Sequence, residues 1–202
     1  MWQSAQATAA DVRAFMPRVD LVIRALTPEL WPALVDLFDT TGPVGRCWCT
    51  YWRTGNAYRR TDPDENREAF REVVAAGPPP GLLAFDGEIA VGWCQLTPRD
   101  ALPWLDRSPR LRRVDDAPVR SISCFYIRKG YRRQGVTTTL IAAAVEAAAE
   151  AGAPAVEAYP LDADLTPSAS STGYATTFAR AGFVTVARHV AARPIMRYDL
   201  GQ

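Results

Sequence analysis

The chain has little of what several large classes of protein require. None of its apolar runs is long enough to cross a bilayer, so no membrane partner is expected. The first residues lack a charged segment followed by an apolar stretch, so we expect no secretory signal. The formal net charge is only +1, and the total charge therefore gives no electrostatic case for nucleic-acid binding. These absences favour a cytoplasmic protein that acts on small or soluble partners.

Thiol and imidazole side chains are also few. The four cysteines are Cys47, Cys49, Cys94 and Cys124, and the single histidine, His189, lies in a predicted loop where solvent exposure is more common than catalysis. Cys47 and Cys49 supply only two ligands, and no other Cys/His pair has the spacing of a zinc site, so no metal is expected. A chain of 202 residues does not need a disulfide framework, and free thiols agree with a cytoplasmic location.

One domain is expected, because 202 residues with 48% hydrophobic content can bury one substantial core. Residues 1–20 are predicted to be an N-terminal extension and residues 21–202 the domain. Apolar periodicity and turn residues predict the order β-α-α-β-β-β-α-β-α-β-β. The predicted strands are 21–26, 82–85, 88–96, 119–127, 155–159, 183–187 and 195–199, and the predicted helices are 28–40, 66–75, 135–151 and 172–181. Long loops are predicted at 42–65 and 97–118.

The most informative stretch joins the strand 119–127 to the Ala-rich helix 135–151 through a basic turn. The first N–H groups of a helix have no intrahelical partner, and the helix dipole is positive there. Arg132 and Arg133 add charge, and Gly135 lets a ligand approach the backbone closely. The turn therefore predicts a phosphate or pyrophosphate site. The Walker-type loop and the Gly-x-Gly-x-x-Gly fingerprint are both missing.

What remains is Arg132-x-x-Gly135-x-Thr137, which resembles the Arg/Gln-x-x-Gly-x-Gly/Ala signature of the GCN5-related N-acetyltransferases. That signature cradles the pyrophosphate of acetyl-CoA; Thr137 replaces its usual small residue and could donate its hydroxyl to a phosphate. The run Phe178 to Phe183, an aromatic followed by three residues and Gly-Phe, also resembles the family. The resemblance covers roughly residues 21–200. It implies an α/β (α+β) fold with a mixed, mostly antiparallel central sheet and helices on both faces.

The resemblance also implies where acetyl-CoA lies. In the family the strands that correspond to 119–127 and 155–159 diverge at one end, and the pantetheine arm occupies the gap. An amide near Tyr126 or Ile127 would donate to the thioester oxygen, and Lys129 or Arg128 would reach the adenosine 3′-phosphate. The residues expected at the cofactor are Phe125, Tyr126, Ile127, Arg132, Arg133, Gln134, Gly135, Val136, Thr137, Thr138, Ser171 and Phe178.

The activity that the resemblance implies is transfer of an acetyl group from acetyl-CoA to a primary amine, by direct attack in a ternary complex. No covalent Cys intermediate is needed. A small-molecule amine is the expected acceptor. A protein N-acetyltransferase and a non-catalytic CoA-binding sensor or interaction module are the alternatives, and a chance motif in an unrelated α/β binding protein is a further one. A homodimer is left open.

The general acid is where the sequence departs from the family. A Tyr often stands about four residues before the Gly of Gly-Phe; here that residue is Phe178, which cannot donate a proton. Tyr174 lies one predicted helical turn earlier, on the same helical face by its i,i+4 spacing, and is the first candidate, with a water or Ser171 as the fallback. Glu157 is the candidate base, because a carboxylate in an apolar strand is costly unless it faces a cleft or is paired. An ion pair at the sheet edge is the alternative for Glu157.

The aromatic loop 42–65 is longer than the resemblance requires, and long loops in compact domains are often functional. We expect it to line the acceptor pocket, whose aromatic faces would suit an apolar or cationic acceptor. A hydrophobic plug that packs the loop onto the sheet is the alternative. The residues expected to line the pocket are Trp48, Tyr51, Trp52, Tyr58 and Trp104.

Overall fold

One seven-stranded sheet runs through the part of the chain that the computed structural model describes, residues 20–39, 47–162 and 171–201. Its strands are β1 (Val22–Ala25), β2 (Gly81–Asp86), β3 (Ile89–Pro98), β4 (Arg120–Ile127), β5 (Ala155–Ala158), β6 (Val184–Val190) and β7 (Arg193–Asp199). They lie in the order β1-β2-β3-β4-β5-β7-β6. Only β4 and β5 are parallel, and the other neighbours are antiparallel. The predicted mixed, mostly antiparallel sheet is confirmed.

Six α-helices lie in the described ranges: α1 (Trp31–Asp39), α2 (Tyr51–Thr54), α3 (Pro63–Ala76), α4 (Pro103–Arg107), α5 (Val136–Glu150) and α6 (Ala175–Arg180). The predicted element order is present, but the predicted loops 42–65 and 97–118 are wrong in part. They contain α2 and α4, each followed or preceded by a 3₁₀ turn (Gly55–Arg59 and Arg99–Ala101). The predicted N-terminal extension stays a prediction, because residues 1–19 lie outside the described residues.

Helix α3 begins earlier than the apolar periodicity indicates. The Asp62 carboxylate accepts the backbone N–H of Asp64 at 2.8 Å, and Pro63 occupies the first turn. An Asp cap followed by Pro is a strong start signal for a helix. The helix therefore starts at Pro63 instead of the predicted Asn66.

The sheet is covered on both faces, as predicted. Helices α5 and α6 pack on one face, where Leu140 and Phe178 are fully buried against strand residues such as Ile122. Helices α1 and α3 pack on the other, where Leu34 and Phe70 are fully buried. Each such side chain contributes about 1.5–3 kcal/mol to folding by leaving water. No helix in the described part is both long and apolar enough to span a membrane.

Candidate active site

Strands β4 and β5 separate in the middle of the sheet. They pair at only three positions, from Arg120 opposite Val156 to Ile122 opposite Ala158. Beyond Ile122, β4 continues along β3 as far as Ile127, while β5 ends at Ala158. The part of β4 from residue 123 to residue 127 therefore has strand β3 on one side and no strand β5 on the other. An extended molecule could add backbone hydrogen bonds along this side.

A β-bulge marks the point where the strands part. Gln95 of β3 lies opposite Cys124 and Leu96 lies opposite Ile122, so Ser123 is the extra residue. Bulges bend a strand and are common beside active sites. The Ser123 hydroxyl donates to Gln95 Oε1 at 2.9 Å, and the Ser123 carbonyl accepts from Trp52 Nε1 at 3.1 Å. The bulge is thus held on both its side chain and its backbone.

The basic turn follows directly from the end of β4. A 3₁₀ turn (Lys129–Tyr131) leads into Arg133, whose φ is +63°, and Gly135, whose φ is +83°, before α5 starts. Arg132 Nε donates to the Ile127 carbonyl at 3.2 Å, and Gln134 Nε2 donates to the Gly130 carbonyl at 2.7 Å. These side-chain bonds hold the turn against the end of β4.

The backbone amides of residues 133–138 donate no well-formed hydrogen bond to the residues that the structure describes. No acceptor within the described ranges takes a hydrogen bond from the N–H groups of residues 133–138, and the first helical bond starts at Thr139, which donates to the Gly135 carbonyl at 3.0 Å. A Cβ added at Gly135 would meet no heavy atom within 4 Å, so the space before these amides is open. Free amides, the positive end of a 15-residue helix and two exposed arginines together favour an anion.

The structure brings most of the predicted cofactor residues into one continuous surface. Residues 125–127 form the open side of β4, and residues 132–138 form the turn and the helix start that follow it. Within this surface Val136 is buried, Thr137 is half-buried and Thr138 is exposed. Thr137 and Thr138 therefore present their side chains as well as their amides.

The two remaining predicted cofactor residues differ in burial: Phe178 is buried and Ser171 is exposed. Phe178 is fully buried and packs between Phe125 and Phe183, with ring centroids 6.1 and 5.0 Å away. Phe178 supports β4 from inside the core. At this position it does not fit the predicted direct contact with the cofactor. Ser171 is exposed, and the chain after it returns to β4: a Cβ at Gly173 would lie 3.5 Å from the Phe125 ring. The segment 171–174 therefore borders the open part of β4.

Tyr174 is not on the same helical face as Phe178, and that part of the prediction is wrong. Helix α6 starts at Ala175, and Tyr174 precedes it in an extended conformation with φ −114° and ψ 142°. Its side chain is 38% exposed, whereas Phe178 is fully buried. The Tyr174 hydroxyl has no hydrogen-bond partner among the described residues, which leaves it free to donate. Its role as the acid stays a prediction.

Glu157 is held as an ion pair inside the sheet, not at its edge. Oε2 accepts from Arg99 Nη1 at 3.2 Å and from the Tyr159 hydroxyl at 3.1 Å. Oε1 accepts from Arg197 Nε at 3.2 Å and from Nη2 at 2.7 Å. Only 1% of Glu157 is exposed. Both carboxylate oxygens are thus occupied by protein donors, and this arrangement fits a structural anion better than the predicted base.

The Glu157 ion pair belongs to a larger network that holds the segment 99–115 on the sheet. Arg99 also donates to Asp106 at 2.7 Å, and Arg197 also donates to Asp115 at 2.7 Å. Burial alone would raise the pKa of Asp106, but hydrogen bonds from Arg99 and Arg113 outweigh it and lower that pKa. The hydrogen bond from Arg197 lowers the pKa of Asp115. Depressed carboxyl pKa values stabilise the fold at neutral pH, and this contribution is lost as the pH falls below about 4.

Most of the predicted aromatic lining is gathered beside the bulge. Tyr51 packs on Trp52 and Tyr58, with centroid distances of 4.5 and 5.7 Å. Gly55 lies so close to Trp104 that an added Cβ would be 2.3 Å from its ring. Helices α2 and α4 therefore pack together over the start of the open part of β4. Trp48 is the exception: it is buried and stacks on Trp31 at 5.6 Å, in the core under α1.

Cys47, Cys49 and Cys94 are poor nucleophiles in this setting. Burial raises the pKa of Cys47 to about 11, with a further contribution from Cys124. A hydrogen bond with Cys124 and burial raise the pKa of Cys49 well above its ordinary value, and burial does the same for Cys94. Thiols with such pKa values stay protonated at neutral pH. In the part of the chain that the structure describes, no three His, Cys, Asp or Glu side chains are grouped as metal ligands would be.

Comparisons with known proteins agree with this fold. A family model described as the acetyltransferase (GNAT) family matches residues 33–169, more than half of the chain. The chain is similar to the solved PaiA N-acetyltransferase of Thermoplasma acidophilum in complex with coenzyme A: the TM-score is 0.53 and the identity 15%, over 89% of this chain and 99% of that chain. It is similar to YncA of Salmonella typhimurium with its cofactor acetyl-CoA (TM-score 0.52, 13% identity, 90% of this chain and 95% of that chain).

A GNAT-family acetyltransferase from Listeria monocytogenes 4b F2365 is also similar, with a TM-score of 0.56 and 11% identity over 89% of this chain and 95% of that chain. No curated protein matches the chain. At these identities the structural similarities establish the fold alone.

Proposed function

Because the chain belongs to the GNAT family of acetyltransferases, we propose that it moves an acetyl group from acetyl-CoA to the primary amine of a small molecule. One observation carries the proposal: the unused amides of residues 133–138 directly follow the part of β4 that β5 leaves open. The anion site follows the open strand edge along the chain. This arrangement matches a molecule that has a diphosphate at one end and an extended, amide-containing arm at the other. Acetyl-CoA has this form.

The residues present fit such a molecule. The amides of residues 133–138 would hold the pyrophosphate, assisted by the exposed side chains of Arg132 and Arg133. The backbone of residues 125–127 would pair with the arm, and an amide near Tyr126 would hold the acyl oxygen. When bound, acetyl-CoA supplies the activated acetyl group. The chain's own residues orient it and exclude water from one side.

Direct attack by the acceptor amine is the mechanism that these side chains support. A covalent relay through a cysteine would need a thiolate, and burial raises the pKa of Cys47 and Cys94 instead. We therefore propose the amine itself as the nucleophile. Its proton can leave to water, because Glu157 is already occupied by Arg99 and Arg197.

A small acceptor is favoured because the acceptor side is covered. Trp52 donates to the Ser123 carbonyl, and Arg53 Nη1 donates to the Ala101 carbonyl at 3.1 Å. These bonds tie α2 to β4 and to the segment before α4, so that α2 covers the bulge. A protein substrate would need an extended groove at this place.

The test is release of free CoA thiol from acetyl-CoA in the presence of a panel of primary amines and of short peptides with free N-termini. We expect thiol release with small amines and little above background with peptides. Peptide-only turnover would favour protein N-acetylation. CoA binding without thiol release on any amine would support a sensor or interaction module, the alternative that buried Phe178 at the acid position keeps open.

Substitution of Gly135 by Val should weaken CoA binding about tenfold or more, because a branched side chain would enter the space before the free amides. Calorimetric titration with CoA measures the change. Gly152→Val is the matched control at the other end of α5. Gly152 also has a positive φ, +70°, and open space around its Cβ position, so backbone strain is similar. Equal CoA affinity in Gly135→Val and the wild type would contradict the assignment.

Replacement of Tyr174 by Phe should lower kcat about tenfold and leave the Kd for CoA unchanged, because it removes only a hydroxyl that has no partner among the described residues. Steady-state rates and CoA titration on the same preparation measure both quantities. Tyr198→Phe, which removes a hydroxyl on β7, should leave kcat unchanged. An unaltered kcat in Tyr174→Phe would exclude Tyr174 as the acid.

A further inference from the structure

Arg193 is a half-buried cation at the point where β4 and β5 part. It is the first residue of β7, and its Nη1 donates to the Tyr159 carbonyl at 3.0 Å and to Thr172 Oγ1 at 3.2 Å. Tyr159 directly follows β5, and Thr172 lies in the segment that borders the open part of β4. The guanidinium is therefore fixed between the two pieces of chain that flank the gap.

No carboxylate in the described residues balances this charge. Arg99, Arg113, Arg128, Arg188 and Arg197 each have an Asp or Glu oxygen within 4 Å. Among the residues that the structure describes, the acceptors of Arg193 are only a carbonyl and a hydroxyl. Desolvating a cation without an anion is costly, and the cost is recovered when an anion binds.

A second arginine, Arg110, adds to the positive electrostatic potential at Arg193. Burial lowers the pKa of Arg193, nearby Arg110 lowers it further, and Tyr51 opposes both effects. Tyr51 packs on Trp52, which is bonded to the bulge and packs against the cluster that contains Tyr159 and Ile195, two residues after Arg193 on β7. The aromatic cluster links Arg193 to Ser123, where the open part of β4 begins.

Arg193 uses only one of its three nitrogens for bonds to the described residues. Within the described ranges nothing accepts from Nε or Nη2, the two nitrogens that form the side of the guanidinium fork. That side matches the two oxygens of a carboxylate. Since the bonds from Nη1 hold the group in place, little side-chain freedom would be lost on binding.

We propose that the acceptor carries a carboxylate beside its primary amine, as an amino acid does, and that Arg193 Nε and Nη2 bind that carboxylate. The inference rests on the proposed acetyl transfer and names its substrate class. The carboxylate would be held at the end of β5, and the amine of the same small molecule would reach the junction of β4 and β5. The rings of Tyr51 and Trp52 would contact an apolar side chain of the acceptor. The aromatic residues alone suggest an apolar or cationic acceptor. Arg193 adds a second requirement, a carboxylate on the same molecule.

The test is calorimetric binding of matched amine pairs to the protein saturated with CoA, which forms no product. The pairs are glycine and glycinamide, and L-phenylalanine and L-phenylalaninamide. We expect the carboxylate form of at least one pair to bind about ten- to hundredfold more tightly than its amide. In Arg193→Gln that preference should disappear, and in Arg193→Lys, which keeps the charge but not the fork, it should be partly retained.

Controls separate this inference from the proposed function. Arg180→Gln removes an exposed arginine at the end of α6 and should leave the preference intact. Melting curves and CoA affinity of each variant report whether it is folded; if Arg193→Gln does not fold, Arg193→Lys carries the test. Equal binding of acid and amide in the wild type, a preference that survives in Arg193→Gln, or no binding of either form would overturn the inference. Thiol release with amides alone would overturn it while acetyl transfer stands.

Discussion

Reversing the charge of both basic residues in the turn, Arg132→Glu with Arg133→Glu, should raise the Kd for CoA about hundredfold. Both side chains are exposed beside the free amides of residues 133–138. The change removes two charge-assisted donors and places two carboxylates where the pyrophosphate would bind. Isothermal titration with CoA gives the Kd, and the effect should diminish as salt is added, because exposed charges are screened.

A second double variant, Arg59→Glu with Arg60→Glu, makes the same change of charge at another pair of exposed neighbours. It should alter CoA affinity by less than about threefold, because these arginines lie in and after the 3₁₀ turn Gly55–Arg59 and not in the basic turn, and exposed charges are screened by salt. The melting temperatures of both double variants should stay near that of the wild type. If the two double variants weaken CoA binding equally, the net charge of the protein and not the turn determines the affinity.

Glu157→Gln should lower the free energy of unfolding by about 3–5 kcal/mol, the usual cost of removing one partner from a buried ion pair. Arg99 and Arg197 would remain in the interior with an amide in place of the charge they share. Arg99 keeps Asp106, and Arg197 keeps Asp115, so the protein should still fold. Chemical denaturation with a far-ultraviolet signal measures the loss.

The control for Glu157→Gln is Glu146→Gln, the same change at an exposed position of α5. It should change the free energy of unfolding by less than about 0.5 kcal/mol. The pair also tests the predicted base. Unchanged stability in Glu157→Gln together with a large loss of kcat would restore a catalytic role for Glu157 and contradict the structural one.

Local signals made much of the fold predictable. Asp86-Gly87 between two apolar runs predicts the β2–β3 hairpin, and Gly87 has the positive φ, +57°, that the turn requires. The strand, basic turn and Ala-rich helix are each defined by residues adjacent in sequence, so β4, the turn and α5 lie within one or two residues of their predicted bounds. Helices α2 and α4 were missed because four or five residues are too few to show a helical period.

The sequence predicted the parts of the candidate site that backbone groups of one local segment form. It did not predict the parts in which side chains far apart in the chain meet. The partners of Glu157 are 58 and 40 residues away in the chain, so no local pattern shows that this carboxylate is paired. The placement of Tyr174 depends on which residue starts α6, and its extended backbone removes it from the face of Phe178. Arg193 contacts residues 34 and 21 positions earlier and carries no sequence signal at all.

The central claim is that the amides of residues 133–138 and the open side of β4 bind acetyl-CoA. Hydrogen–deuterium exchange with and without saturating acetyl-CoA tests it most directly, because these amides have no well-formed acceptor in the described part of the chain and should exchange quickly. We predict strong protection of residues 133–138 and of residues 123–127 on binding, and no change at residues 149–154 at the other end of α5. Saturation of the protein by acetyl-CoA with no protection at residues 133–138 would contradict the account.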